Sequence, residues 1–201
     1  TLRALTRPIE RTSLPPIQVF IITCDRPEAV ERLLHSMATS SAIELPKTYT
    51  LIDDSRDVSL AEKNRALVSA HNSSASFQVR YFGLEARALL LAHLIEAAPD
   101  HEDSIRFLLD RQQWGDLPTY GLSRSIALLL GVGSRILVFD DDVLCEAVRS
   151  PLPDEPLHFA GVTGRKAMFW PAHDAQQADK KTRKDSPIAL MARQLGAVLT
   201  E

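Results

Sequence analysis

Ser134-Arg135-Ile136-Leu137-Val138-Phe139-Asp140-Asp141-Asp142-Val143 carries an apolar run of strand length straight into three consecutive carboxylates. Along an extended chain, side chains alternate between faces, so Asp140 and Asp142 point one way and Asp141 the other. Two carboxylates on one face suit a hard divalent cation. Mg²⁺ is commonly held by one or two carboxylates, with substrate phosphate oxygens completing its shell, and Mn²⁺ accepts the same oxygen donors. The same segment also reads as a solvated acidic turn after a buried strand.

Working outward, the helical pattern Gly121–Val132 feeds this strand through Gly133. Far upstream, Ile17-Gln18-Val19-Phe20-Ile21-Ile22-Thr23-Cys24 is a near-continuous β-branched and aromatic run, the pattern of a parallel strand buried on both faces. Asp25-Arg26-Pro27-Glu28 then opens a helix with Pro27 in its first turn and Val30, Leu33, Leu34 and Met37 as its apolar stripe. Tyr49-Thr50-Leu51-Ile52 is a second strand running into Asp53-Asp54-Ser55. A helix follows from about Ser59, where Ser59-x-x-Glu62 has the form of a capping box. Phe77–Phe82 alternates as a third strand, and Leu84–Ala98 and Asp103–Gln112 read as helices parted by Pro99-Asp100. Alternating strands and helices predict an α/β sandwich: a mostly parallel central sheet with helices on both faces. Ligands of such sheets collect at the carboxyl ends of the strands, where Asp25, Asp53, Asp54 and Asp140–Asp142 fall.

The 201 residues are 45% hydrophobic and 24% charged, ordinary for a globular protein able to bury a core. A formal net charge of -3 gives no general attraction to nucleic acid or anionic membrane, so an anionic ligand must be held locally. Cys24 and Cys145 lack partners at metal-ligand spacing; both are expected as buried thiols in a reducing, cytoplasmic setting. No apolar run reaches the roughly 18 to 20 residues of a membrane span. Residues 1–16 read as a leader or linker ending in Pro15-Pro16. The chain begins at Thr1 and ends at Glu201 within a helical pattern opened by Ser186-Pro187, as expected of a piece of something longer.

Four segments, in order, resemble the nucleotide-sugar glycosyltransferases of the GT-A fold, especially the large inverting family that includes many bacterial polysaccharide synthases. Thr23-Cys24-Asp25-Arg26-Pro27 is similar to that family's Thr-x-Asn-Arg-Pro turn after the opening strand. Leu51-Ile52-Asp53-Asp54-Ser55 is similar to its Val-Val-Asp-Asp-Gly-Ser, without the glycine. Gly121-Leu122-Ser123-Arg124-Ser125-Ile126-Ala127 is similar to its Gly-x-x-x-Ala-Arg-Asn helix start, and Asp140-Asp141-Asp142 stands where the family has Asp-x-Asp. The resemblance covers residues 17–145.

It implies a Rossmann-like GT-A domain over 17–145 that binds a nucleotide-diphosphate sugar, a UDP-sugar first, and transfers the sugar to an acceptor hydroxyl on a glycan, lipid or protein. It also implies a Mn²⁺ or Mg²⁺ cofactor held directly by Asp142, with Asp140 as the ribose or water-bridged partner and Asp141 alongside. Asp53 and Asp54 would read the nucleobase, a carboxylate accepting from uracil N3–H; an Asx turn or helix cap is the competing use, above all for Asp53. Arg124, near a helix N-terminus that already favours anions, would pair with the diphosphate or brace the acids. Arg26 would belong to the nucleotide side, with a surface salt bridge as its other use, and Thr23 would contact the base or serve simply as strand filler. A downstream His158 or His173 would be a further metal ligand, although a lone His without a supporting motif is more often a structural or surface residue. The acceptor-side base has Asp154, Glu155 and Asp174 as candidates, none with a recognisable setting.

Leu84–Pro118 departs from compact family members as a helical insertion, with Leu89, Leu90, Leu94, Ile95, Phe107, Leu108 and Leu109 available for packing or for a partner. Residues 146–201 would begin an acceptor-side region. Two other functions stay open. A haloacid-dehalogenase-type phosphohydrolase would use Asp140 and Asp142 as nucleophile and acid, although Leu144 stands where that motif carries Thr or Val. A degenerate transferase domain would bind nucleotide or scaffold a larger protein without catalysis.

Overall fold

Strand β1 (Ile17–Thr23) is apolar toward both of its faces, and it becomes an interior strand paired on both edges. The computed structural model describes residues 15–39, 48–115, 117, 119, 121–145, 147–148, 184–185, 188 and 191. Helix α1 (Pro27–Thr39) leads to β2 (Thr48–Asp53), then α2 (Val58–Ser74), β3 (Val79–Phe82), α3 (Leu84–Ala97), α4 (Glu102–Leu109), α5 (Leu122–Leu130) and β4 (Arg135–Asp140). The four strands form one wholly parallel sheet in the order β3-β2-β1-β4. A separate two-stranded antiparallel pair joins β5 (Ala147–Val148) to β6 (Lys184–Asp185).

Each face of the sheet has its own apolar layer. On one, Val19, Ile21, Tyr49, Leu51, Val79, Leu137 and Phe139 meet the stripe Val30, Leu33, Leu34 and Met37 of α1 and Val68 of α2. On the other, Phe20, Ile22, Ile52, Phe82 and Ile136 meet Leu90, Leu91 and Leu94 of α3, Ile105 and Leu109 of α4, and Ile126 and Ala127 of α5. The expected α/β architecture, with a Rossmann-like parallel sheet and helices on both faces, is therefore the observed one. Gly131, just past the end of α5, lies close against the sheet: a Cβ there would collide with Ile136 Cγ2 and reach Ala127 O at 3.0 Å. Gly133, at φ 79°, makes the turn into β4.

Several local expectations shift by a few residues for identifiable reasons. Asp57 caps α2 by accepting from Ser59 N at 2.7 Å, so the helix starts one residue before Ser59 and the expected Ser59–Glu62 box does not form the cap. The ladder with β2 starts only at Val79, whose N donates to Asn72 Oδ1 at 2.8 Å, so Phe77 lies outside β3 and packs its ring against Tyr49 at 4.6 Å between centroids. Asp110 ends α4 and accepts from Gln112 N at 2.9 Å, turning Arg111–Trp114 into a 3₁₀ turn where a continuing helix was expected. Helices α3 and α4 divide their apolar side chains: Leu90, Leu94 and Leu109 join the core, whereas Leu89, Phe107 and Leu108 are exposed. The expected strand Leu157–Val162 and the opening of the final helix at Ser186-Pro187 lie outside the described residues. No described helix is long and apolar enough to cross a membrane.

Candidate functional site

Parallel pairing aligns the carboxyl ends of three strands. The register sets Thr23 beside Asp53 and Ile22 beside Asp140, so the acids that end β2 and β4 flank the last residues of β1. Between them opens a cavity of about 540 Å³ lined by Thr23, Cys24, Asp25, Arg26, Asp54, Arg56, Thr119, Ser123, Arg124 and Asp140–Asp142. Seven of the eight sequence-predicted site residues, drawn from four separate segments, line this one space; Asp53 does not.

At the β4 end the strand alternation survives into the turn. The side chains of Asp140 and Asp142 are each 55% exposed and that of Asp141 is 4% exposed. Asp141 is held from two sides: Thr23 Oγ1 donates to Oδ2 at 2.6 Å, and Arg26 Nη1 lies 2.8 Å from Oδ1. Thr23 thus uses its hydroxyl on Asp141, and Asp141 in turn fixes Arg26 at the cavity. Arg26 also approaches Asp142 at 3.7 Å. Arg124, on the first turn of α5, donates to Asp140 at 3.0 and 3.3 Å. Arg124 and Asp140 are both about half exposed, so that pair contributes little to stability and can exchange for another anion, whereas Arg26 is held by a buried carboxylate.

The β2 end is organised differently. Asp53 is buried and its carboxylate is consumed internally: Oδ1 accepts from Ser55 N and Oγ at 2.9 and 2.5 Å, and Oδ2 from Asn64 Nδ2 and Tyr81 Oη at 3.0 and 2.8 Å. This is the Asx turn weighed as its competing use. Burial, followed by the carboxylate it donates to, holds the Tyr81 phenol above its ordinary value, so it remains a donor. Asp54 faces the cavity but is also buried. Its Oδ1 accepts from Arg87 Nη1 at 2.6 Å and Arg111 Nη1 at 3.3 Å, its Oδ2 from Thr119 Oγ1 at 3.1 Å, and Arg111 also donates to Asp54 O at 2.8 Å. A carboxylate offers about four acceptor positions, so one stays open to a ligand.

Arg87 and Arg111 escaped the sequence reading; Arg87 lies on α3 and Arg111 just after α4. Arg87 had a signal: it occupies the apolar stripe of α3 with Leu90, Leu91 and Leu94, where a lone guanidinium must find a buried partner. Arg111 had none, since it stands in the 3₁₀ turn and meets Asp54 across 57 residues of chain.

Cys24, expected buried, is exposed at the cavity, while Cys145 is buried; neither forms a disulfide. Partial burial, then the carboxylates of Asp25 and Asp54, push the Cys24 thiol up to about 11, and its S–H points at Asp54 O at 3.2 Å. It stays protonated at neutral pH and is a poor nucleophile.

Among the described residues no group of three or more His, Cys, Asp or Glu side chains converges to hold a metal ion. Asp140 and Asp142, two exposed carboxylates at one strand end, fit a hydrated Mg²⁺ or Mn²⁺ whose remaining ligands are water and phosphate, not a resident metal in a protein cage. His158, His173, Asp154, Glu155 and Asp174 lie outside the described residues.

No protein-family model matches this chain, and no curated protein matches it. Among solved structures it is similar to the crystal structure of S. aureus TarS, with 16% identity and a TM-score of 0.31 over 66% of this chain and 17% of that one. At that TM-score the likeness carries no weight for fold or chemistry.

Proposed function

We propose that this chain forms the donor-binding part of a metal-dependent glycosyltransferase, which moves a sugar from a nucleotide diphosphate, a UDP-sugar first, to an acceptor hydroxyl with inversion. The observation that carries the reading is the convergence of four motif-bearing segments on one cavity at the carboxyl ends of β1, β2 and β4. A volume of about 540 Å³ is in the range of small-molecule and cofactor pockets.

The charges divide the cavity into two ends. At the β4 end the carboxylates of Asp140, Asp141 and Asp142 face two guanidiniums, Arg26 and Arg124. A bare diphosphate would meet an excess of negative charge there, which a divalent cation on Asp142 and Asp140 reverses. When bound, such a cation supplies Lewis-acid stabilisation of the departing nucleoside diphosphate. Arg124 is placed to leave Asp140 for phosphate oxygens, and Arg26, held through Nη1 by Asp141, has further N–H donors to offer them, a contact that suits guanidinium. At the other end Asp54, held by Arg87 and Arg111, keeps one acceptor position for a base N–H or a ribose hydroxyl. Asp53 serves through Ser55 by shaping the loop. The acceptor-side base is left unassigned.

Isothermal titration calorimetry with UDP, GDP, CDP and ADP, each with and without Mn²⁺, tests the proposal. Binding of at least one, tightened by Mn²⁺, is the expected result. No binding by any of them under either condition would sink it.

A further inference from the structure

Asp25 is the one non-glycine among the described residues with a positive φ, 55°. Asp tolerates this left-handed conformation better than most residues, yet it is uncommon outside glycine. The turn sends its carboxylate across to the loop between β2 and α2. There Oδ1 accepts from Arg56 N at 2.7 Å and from Asp57 N at 3.0 Å, while Asp25 N donates to Ser55 Oγ at 2.9 Å. Ser55 in turn is tied to Asp53. Three bonds therefore fasten the end of β1 to the segment Ser55–Asp57, just after Asp54 and just before α2. On its own side, Asp25 immediately precedes Arg26.

We infer that Asp25 is a positioning residue of the cavity. Its Oδ1 accepts from two loop amides, and through them it sets the separation between Arg26 on one wall and Asp54 and Arg56 on the other. The alternative is that Asp25, which also lines the cavity, acts through its charge on a ligand or cation. The binding arm of the test rests on the proposed nucleotide site; the exchange arm does not.

Asp25→Asn keeps an Oδ1 acceptor and tolerates the same backbone, whereas Asp25→Gly keeps the backbone without strain and removes the acceptor. In the ligand-free protein, hydrogen exchange at the Arg56 and Asp57 amides should quicken about tenfold or more in Asp25→Gly and stay within about threefold of wild type in Asp25→Asn. UDP affinity with Mn²⁺ should follow the same order, with Asp25→Asn rescuing what Asp25→Gly loses. Unchanged amide protection in Asp25→Gly overturns the inference. So does an Asp25→Asn protein with protected amides but affinity as poor as Asp25→Gly, since charge would then be what matters. A wild-type protein that binds no nucleoside diphosphate while its amides follow the predicted order refutes the nucleotide reading and leaves the loop-fastening role supported.

Discussion

Replacing Arg87 with methionine should lower the free energy of unfolding by about 3 kcal/mol, the lower end of the range for breaking a buried ion pair by removing one partner. Arg87 and Asp54 are 6% and 8% exposed at their side chains and meet at 2.6 Å. Without the guanidinium, Asp54 keeps only Arg111 at 3.3 Å and Thr119 at 3.1 Å, too little to offset a carboxylate withdrawn from water. Arg87 Nε and Nη2 have no partner among the described residues, so the wild-type pair already bears a desolvation cost. It follows that Arg87→Met combined with Asp54→Leu should be much milder than Arg87→Met alone. Urea unfolding of the three proteins checks this: the single variant should show a markedly lower midpoint, largely recovered in the double. Equal midpoints for Arg87→Met and wild type would show that Arg111 alone suffices for Asp54.

The second large effect is on binding and leaves stability untouched. Asp142→Asn should weaken Mn²⁺-supported UDP binding by at least about 100-fold, since even indirect partners of metal ligands are worth about 10–100-fold. Its side chain is 55% exposed and its one ion pair is long, at 3.7 Å, so the urea midpoint should not move. Asp141→Asn is the informative contrast. That carboxylate is buried against Thr23 and Arg26, and its neutralisation should loosen Arg26 and lower the midpoint. Parallel losses of binding in both variants, without a stability difference between them, would contradict the division of labour between exposed and buried acids.

The sheet was legible because it is built from apolar runs that end in charge. Ile17–Thr23 and Arg135–Asp140 are each long enough for one strand, and polar residues and acids begin where the core stops. The same logic located the cavity, since parallel strands deliver their carboxyl ends to one edge. What each acid does there was less legible, because period-two alternation says which acids share a face and nothing about their partners. Asp53 and Asp54 are adjacent in sequence, yet one is spent on Ser55, Asn64 and Tyr81 and the other opens to the cavity. The segment from α3 to the 3₁₀ turn hid most. Arg87 looks like a charged interruption of a leucine-rich helix until the topology brings it over Asp54, and Arg111 depends on a 3₁₀ turn created by Asp110. The cap of α2 shows the same limit at small scale: Ser59 and Glu62 have the right spacing, but Asp57 reaches the free amide first.

The most direct measurement is the anomalous signal of Mn²⁺ in crystals grown with UDP. The account predicts one metal ion at direct coordination distance, about 2 Å, from Asp142, close to Asp140 and in contact with the diphosphate, with the base lying toward Asp54. A metal bound away from Asp140 and Asp142, or a nucleotide bound outside the cavity between β1, β2 and β4, would contradict it.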